Sequence, residues 1–153
     1  MTLRYLLDTN IVSETLRPFP DQAVLDHLRE HQAEIAIASV VWHELWYGCC
    51  RLPPSTKRTV IETYLKDVIA RTIPILSYDQ RAALWHAEQR ARLAGIGRTP
   101  PFTDGQIAAV AATNGLGLVT FNRDDYAAFQ GLRLDVSSRA ILYQRESPNL
   151  YQP

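Results

Sequence analysis

Cysteine is nearly absent from this chain of 153 residues. Cys49 and Cys50 are adjacent, so no disulfide framework is available. No apolar run approaches the roughly 20 residues that span a bilayer. The opening Met-Thr-Leu-Arg-Tyr-Leu-Leu-Asp lacks the apolar core and small-residue cleavage site of a signal peptide. A reducing cytoplasm is the expected compartment. Neither sign of charge prevails: 16 Lys+Arg meet 16 Asp+Glu, which argues against a polycationic arm but leaves room for a local basic patch. Internal repeats and low-complexity stretches are missing too. What remains is a chain 46% hydrophobic and 21% charged, suited to one folded domain rather than a disordered segment.

Short apolar runs alternate with longer periodic segments. Residues 3–7 read as a buried strand ending at Asp8, and 34–38 (EIAIA) as a second. Residues 73–76 form a third, demoted to an edge or a turn by Pro74, and 116–121 a fourth. A last strand is expected over 132–136. Helical spacing marks 11–16, 21–30, a segment that Ser39 can cap, one beginning at Ser55, and 78–93 closed by Gly95. An alanine-rich helix runs from Thr103 or Asp104 to Asn114, and 124–129 reads as a helical turn. Strands separated by helices predict an α/β domain over residues 1–142, with a central, mostly parallel sheet flanked by helices on both faces. Residues 143–153 are polar and proline-bearing and read as a loose tail or a partner contact.

In such folds ligands bind beyond the carboxyl ends of the strands, at a topological switch point. Asp8 follows the first strand. Glu44 lies in the first two turns of the helix after the second. Asp104 opens the alanine-rich helix, and Asn122, Asp124 and Asp125 follow the fourth strand. Each acid alone reads as a helix cap or a solvated side chain. Together they would repel one another unless a hard divalent cation were bound; Mg²⁺ or Mn²⁺ prefers such oxygen donors. A carboxylate-only metal site suits phosphodiester cleavage by metal-activated water.

Four segments, in order, carry a resemblance. Tyr5-Leu6-Leu7-Asp8-Thr9-Asn10, Ser39 through Gly48 with its Glu44-Leu45, Thr103-Asp104-Gly105-Gln106-Ile107-Ala108-Ala109, and Thr120-Phe121-Asn122-Arg123-Asp124-Asp125-Tyr126 resemble the successive motifs of PIN-domain nucleases. The set spans nearly the whole chain. Its length is similar to that of VapC-type toxins of bacterial toxin–antitoxin pairs, and Ser13-Glu14-Thr15-Leu16-Arg17-Pro18 resembles the FitB-like branch. The resemblance implies a PIN-like fold and an Mg²⁺- or Mn²⁺-dependent endoribonuclease. It implies Asp8, Glu44, Asp104 and Asp125 as catalytic acids and metal ligands, joined by Asn122, which departs from the Asp that many members carry there. Asn10 and Thr120 are expected to hold the carboxylates in place by hydrogen bonds. A cognate antitoxin protein, an RNA substrate and a homodimer are implied as partners.

If the acids are sequestered around metal, the rest of the chain is net positive. Arg17, Arg98 and Arg123, with Arg90 and Arg92, are then candidates for an RNA-contacting rim, although each alone reads as an ordinary solvated charge. Two other classes compete. A non-catalytic PIN-like binding module is favoured by Asn122 alone. A zinc peptidase is suggested by His27-Leu28-Arg29-Glu30-His31, a literal H-x-x-E-H. That motif needs a third protein ligand and has no clear downstream partner, so a solvated histidine pair is expected. Trp42, Trp46 and Trp85 are expected in the core or an interface rather than stacked on bases.

Overall fold

The computed structural model describes residues 2–135. Four short strands make one sheet: β1 (Tyr5–Leu7), β2 (Ile35–Ala38), β3 (Ile75–Leu76) and β4 (Gly117–Val119). Their order is β3-β2-β1-β4 and every pairing is parallel. In register, Tyr5 faces Ile35 and Gly117, and Leu7 faces Ile37 and Val119. Consecutive residues of a strand point to opposite faces. All of β1, β2 and β4 is buried, so both faces are covered. Pro74 lacks the N–H that a central strand must donate, and β3 accordingly sits at the edge.

The helices are α1 (Thr9–Glu14), α2 (Gln22–Glu30), α3 (Ser39–Cys50), α4 (Thr56–Tyr64), α5 (Ala70–Thr72), α6 (Gln80–Gly95), α7 (Phe102–Thr113) and α8 (Arg123–Tyr126), with a π-helical turn at Leu65–Ile69. The pair α1 and α2 connects β1 to β2, and α6 with α7 connects β3 to β4. From β1 the chain steps outward through β2 to β3, then returns to place β4 on the other side of β1. The switch point therefore lies between β1 and β4.

Local chemistry explains most boundaries. Asp21 caps α2 through the N–H groups of Ala23 and Val24, Ser55 caps α4 through Arg58 N, and Asp79 caps α6 through Ala82 N. Gly115, with φ of 66°, takes the left-handed conformation that ends α7. Ser39 is a correction: it is the first residue of α3, not its cap, and its Oγ accepts from Tyr78 N at 3.2 Å. Of the last expected strand, a parallel bridge between Leu118 and Leu134 is present. Val136 and the tail at 143–153 lie outside the described residues. No helix among the described residues is long and apolar enough to cross a membrane.

Helix α7 is held in place by its packing on α6. Gly105 stands against the ring of buried His86, where a Cβ would run into His86 Nε2. His86 Nδ1 pairs with the Tyr78 hydroxyl at 2.9 Å. Ile107, Ala108, Ala109, Val110 and Ala111 are buried, so α7 is enclosed on nearly all sides. Its start is thereby fixed against the ends of the strands.

Candidate acidic active site

At the switch point a cleft of about 530 Å³ opens, lined by Asp8, Asn10, Glu14, Arg17, Glu44, Asp104 and Asn122 among others. Asp8 is the residue after β1 and is 6% exposed. It is also the N-cap of α1: Oδ1 accepts from Thr9 N at 2.7 Å. Its other oxygen, Oδ2, accepts from Thr120 Oγ1 at 2.7 Å. The cap and the candidate ligand are thus one residue, with a carboxylate fixed at both oxygens. Thr120 follows β4, is buried, and its Oγ1 accepts in turn from Asn122 N at 3.0 Å. Asn10 Oδ1 accepts from Phe121 N at 3.4 Å. These bonds tie the turn after β1 to the turn after β4.

Asp104 stands in the first turn of α7, where the helix dipole favours a negative charge. Glu44 reaches the same cleft, half-buried, from the second turn of α3. Asn122 is exposed on the rim. Asp125 stands outside the cleft wall on α8, exposed, and acts on Asp8 and Asp104 through its charge. The acids of four separate elements therefore share one field.

That field is legible in the carboxyl groups themselves. Burial raises the pKa of Asp104 to about 6, with the charges of Asp8, Asp125 and Glu44 adding to the rise. Asp8 is also raised, by burial and then by Asp125, against the opposing hydrogen bonds from Thr120, Thr9 and Tyr126. Tyr126 is a functional candidate that its sequence position alone did not single out. It is 1% exposed, and its hydroxyl donates to Asp104 Oδ1 at 3.4 Å while lying against Asp8. The burial of its ring and the nearby carboxylates push its own pKa far up, so it stays a donor. The signal was its place directly after Asp125.

Glu14 gives no sign in the sequence of its place in the site. It is 4% exposed in the cleft wall, accepts from Asp21 N at 3.0 Å, and is paired with Arg17 at 3.1 Å. Its position three residues after Ile11 put it on the buried face of α1. Arg17 therefore lines the cleft while held by Glu14. Arg98 is exposed in the loop after α6, and Arg123 is half-buried at the start of α8. Arg90 lies over the Phe102 ring at 5.0 Å, and Arg92 donates to Ala128 O and Gln89 Oε1. Trp42 and Trp46 meet edge to face at 5.8 Å against the core, and Trp85 leans on Phe129. Cys49 is buried and Cys50 exposed.

The family model of the PIN domain matches residues 5–131. The chain is 34% identical over 134 residues to the tRNA(fMet)-specific endonuclease VapC of Shigella flexneri, covering 87% of this chain and 97% of that protein. It is 30% identical over 126 residues to Toxin FitB of Neisseria gonorrhoeae, covering 80% and 91%. Among solved structures, the FitAcB complex from Neisseria gonorrhoeae superposes with a TM-score of 0.79 at 28% identity, over 86% of this chain and 96% of that one. DNA-bound VapBC from Salmonella typhimurium gives 0.77 at 28%, over 87% and 97%. A parallel sheet with acids gathered at its switch point, matched along nearly its whole length, places this chain in the PIN-domain family.

Proposed function

We propose that this chain is an endoribonuclease, the toxin of a toxin–antitoxin pair, that hydrolyses RNA phosphodiester bonds with the help of Mg²⁺ or Mn²⁺. One observation carries the reading: Asp8, Glu44 and Asp104, from three separate elements, line one cleft with the charge of Asp125 beside it, and burial there, with those charges adding to it, raises the pKa of Asp104 to about 6. A site that repels its own charge at neutral pH is suited to a cation. The donors are carboxylates and an amide, all oxygen, which fits a hard divalent ion. Asp8, Glu44 and Asp104 would hold it, with Asn122 through its amide carbonyl and Asp125 at the margin. Such an ion supplies positive charge beside a scissile phosphate and acidifies bound water.

The chain's own residues do the rest. Thr9 N and Thr120 Oγ1 fix Asp8 in one orientation, so little reorganisation is needed on binding. Tyr126 donates to the Asp104 carboxylate and favours its ionised form. Arg123 follows Asn122 of the cleft rim and is the basic group in sequence nearest to it; Arg98 is exposed in the loop after α6, and Arg17, which lines the cleft, would have to leave Glu14 to serve. The relatives named for VapBC and FitAcB are toxin–antitoxin assemblies, which supports an antitoxin partner here. A homodimer in the cytoplasm is the expected free form.

The test is cleavage of a structured RNA by protein stripped with EDTA, then supplied with Mg²⁺ or Mn²⁺. Activity returns with the ion, and Asp8→Asn abolishes it with the circular dichroism spectrum unchanged. Tight RNA binding without cleavage at any ion concentration would instead establish a binding module.

A further inference from the structure

The H-x-x-E-H segment is not part of the acidic cleft. His31 packs edge-on to Tyr5, with ring centroids 5.2 Å apart, and Glu34 O accepts from Arg4 N and Tyr5 N. Tyr5 and Ile35 are the first residues of β1 and β2, so these histidines lie over the amino ends of the strands. The cleft lies at the carboxyl ends.

Three observations converge there. One ligand atom each from His27, Glu30 and His31 can be chosen such that all lie within 4.8 Å of one another. His27 Nδ1 is buried and has no hydrogen-bond partner, with Glu30 Oε2 at 3.9 Å. A buried imidazole nitrogen without a partner is costly, and a metal ion is one of the few groups that would satisfy it. On the other ring, Glu34 Oε2 lies 3.4 Å from His31 Nδ1. A carboxylate at that nitrogen fixes the proton on Nδ1 and leaves the Nε2 lone pair free, the arrangement seen behind metal-bound histidines. The segment also ends α2, where the helix dipole favours a cation.

We propose that His27, Glu30 and His31 form a second metal site, one for zinc, on the last turn of α2. Two imidazoles and one carboxylate form a zinc ligand set and a poor one for Mg²⁺. Tetrahedral zinc needs donors about 3.4 Å apart, as its bonds of about 2.1 Å dictate, and side-chain rotation on one helical turn supplies that contraction. Glu30 is 69% exposed, so the fourth position opens to solvent. The motif's own glutamate is the third ligand, so no downstream residue is required.

The experiment uses untagged full-length protein, freed of metal and held in excess Mg²⁺ so that the acidic cleft is not the competitor. Zinc is titrated by calorimetry, and Co²⁺ in its place is read by its visible tetrahedral absorption. The wild type takes up one zinc per chain. His27→Asn/His31→Asn weakens uptake by about a hundredfold and removes the cobalt band, and Glu30→Gln weakens it by about tenfold. Asp8→Asn binds zinc as the wild type does. Because Glu30 is exposed, its variant stays decisive if the double variant does not fold. Equal zinc uptake by wild type and Glu30→Gln, no uptake by the wild type, or loss of uptake in Asp8→Asn would each overturn the proposal.

Discussion

At the scale of single residues, the site depends on hydroxyl groups as much as on acids. Thr120 Oγ1 donates to Asp8 in buried surroundings and accepts from Asn122 N nearer the surface. Thr120→Val keeps the shape and removes both bonds, leaving Asp8 Oδ2 without its donor. The expected cost is about 1–3 kcal/mol in unfolding free energy, measured by urea denaturation. Tyr126→Phe tests a different quantity. The Tyr126 hydroxyl lowers the pKa of Asp104, so its loss raises that pKa above about 6. The acidic limb of the pH–rate profile for RNA cleavage then moves to higher pH, with activity at pH 7 reduced and recovered in more alkaline buffer. An unmoved limb would show that Tyr126 serves packing alone. Thr120 was expected to hold a carboxylate, through the motif it belongs to, whereas Tyr126 does not announce itself in sequence. Asp8 and Asp104 show only as members of a set: each alone is an ordinary cap or first-turn acid, and it is the several acids placed together at strand ends and helix starts that point to a cation. Tyr126 and Glu14 are hidden because an aromatic or an acid at helical spacing reads as core or as surface. Only the fold reveals that one reaches between two carboxylates and the other is buried.

At the scale of elements, the positions of strands were legible and their joints were not. The apolar runs around Leu6, Ile37 and Leu118 are buried on both faces, and such runs have few alternatives to a central parallel strand. Pro74 marked its segment as an edge or a turn by what it cannot donate, and the fold makes it the edge. Ser39, in contrast, is a good local cap whose hydroxyl is taken by Tyr78 N, 39 residues away. No local rule weighs that competition. The π-helical turn at Leu65–Ile69 likewise has no local signature. Helix α7 depends on Gly105 for its approach to His86, which makes that glycine the element's most sensitive position. Gly105→Ala forces α6 and α7 apart beside Asp104. It should cost about 1–3 kcal/mol and lower cleavage more than it lowers helix content, as judged by denaturation and circular dichroism together. At the opposite extreme, Ser55→Ala removes an exposed cap of α4, costs about 1 kcal/mol, and leaves cleavage unchanged.

For the whole molecule, the acidic cleft couples folding to pH and to cations. Asp104 has a folded-state pKa of about 6 against an ordinary 3.8, so the folded chain binds a proton that the unfolded chain has released across that window. The stability this represents is fully present below pH 3.8 and is lost as pH rises through about 6. Asp8 is shifted in the same direction. Other carboxylates titrate across the same range, so the informative quantity is the difference between wild type and Asp104→Asn. The variant carries no titrating group at position 104 and relieves the charge felt by Asp8. Without divalent ions, the two proteins should melt at similar temperatures near pH 4, and the variant should melt higher at pH 7. Mg²⁺ at pH 7 should then raise the melting temperature of the wild type more than that of the variant, because a ligand that binds the folded state stabilises it in proportion to its affinity. A difference that does not change with pH would mean that neither burial nor the neighbouring acids raise the Asp104 pKa in the folded chain, and the electrostatic argument for a cation at this cleft would fail.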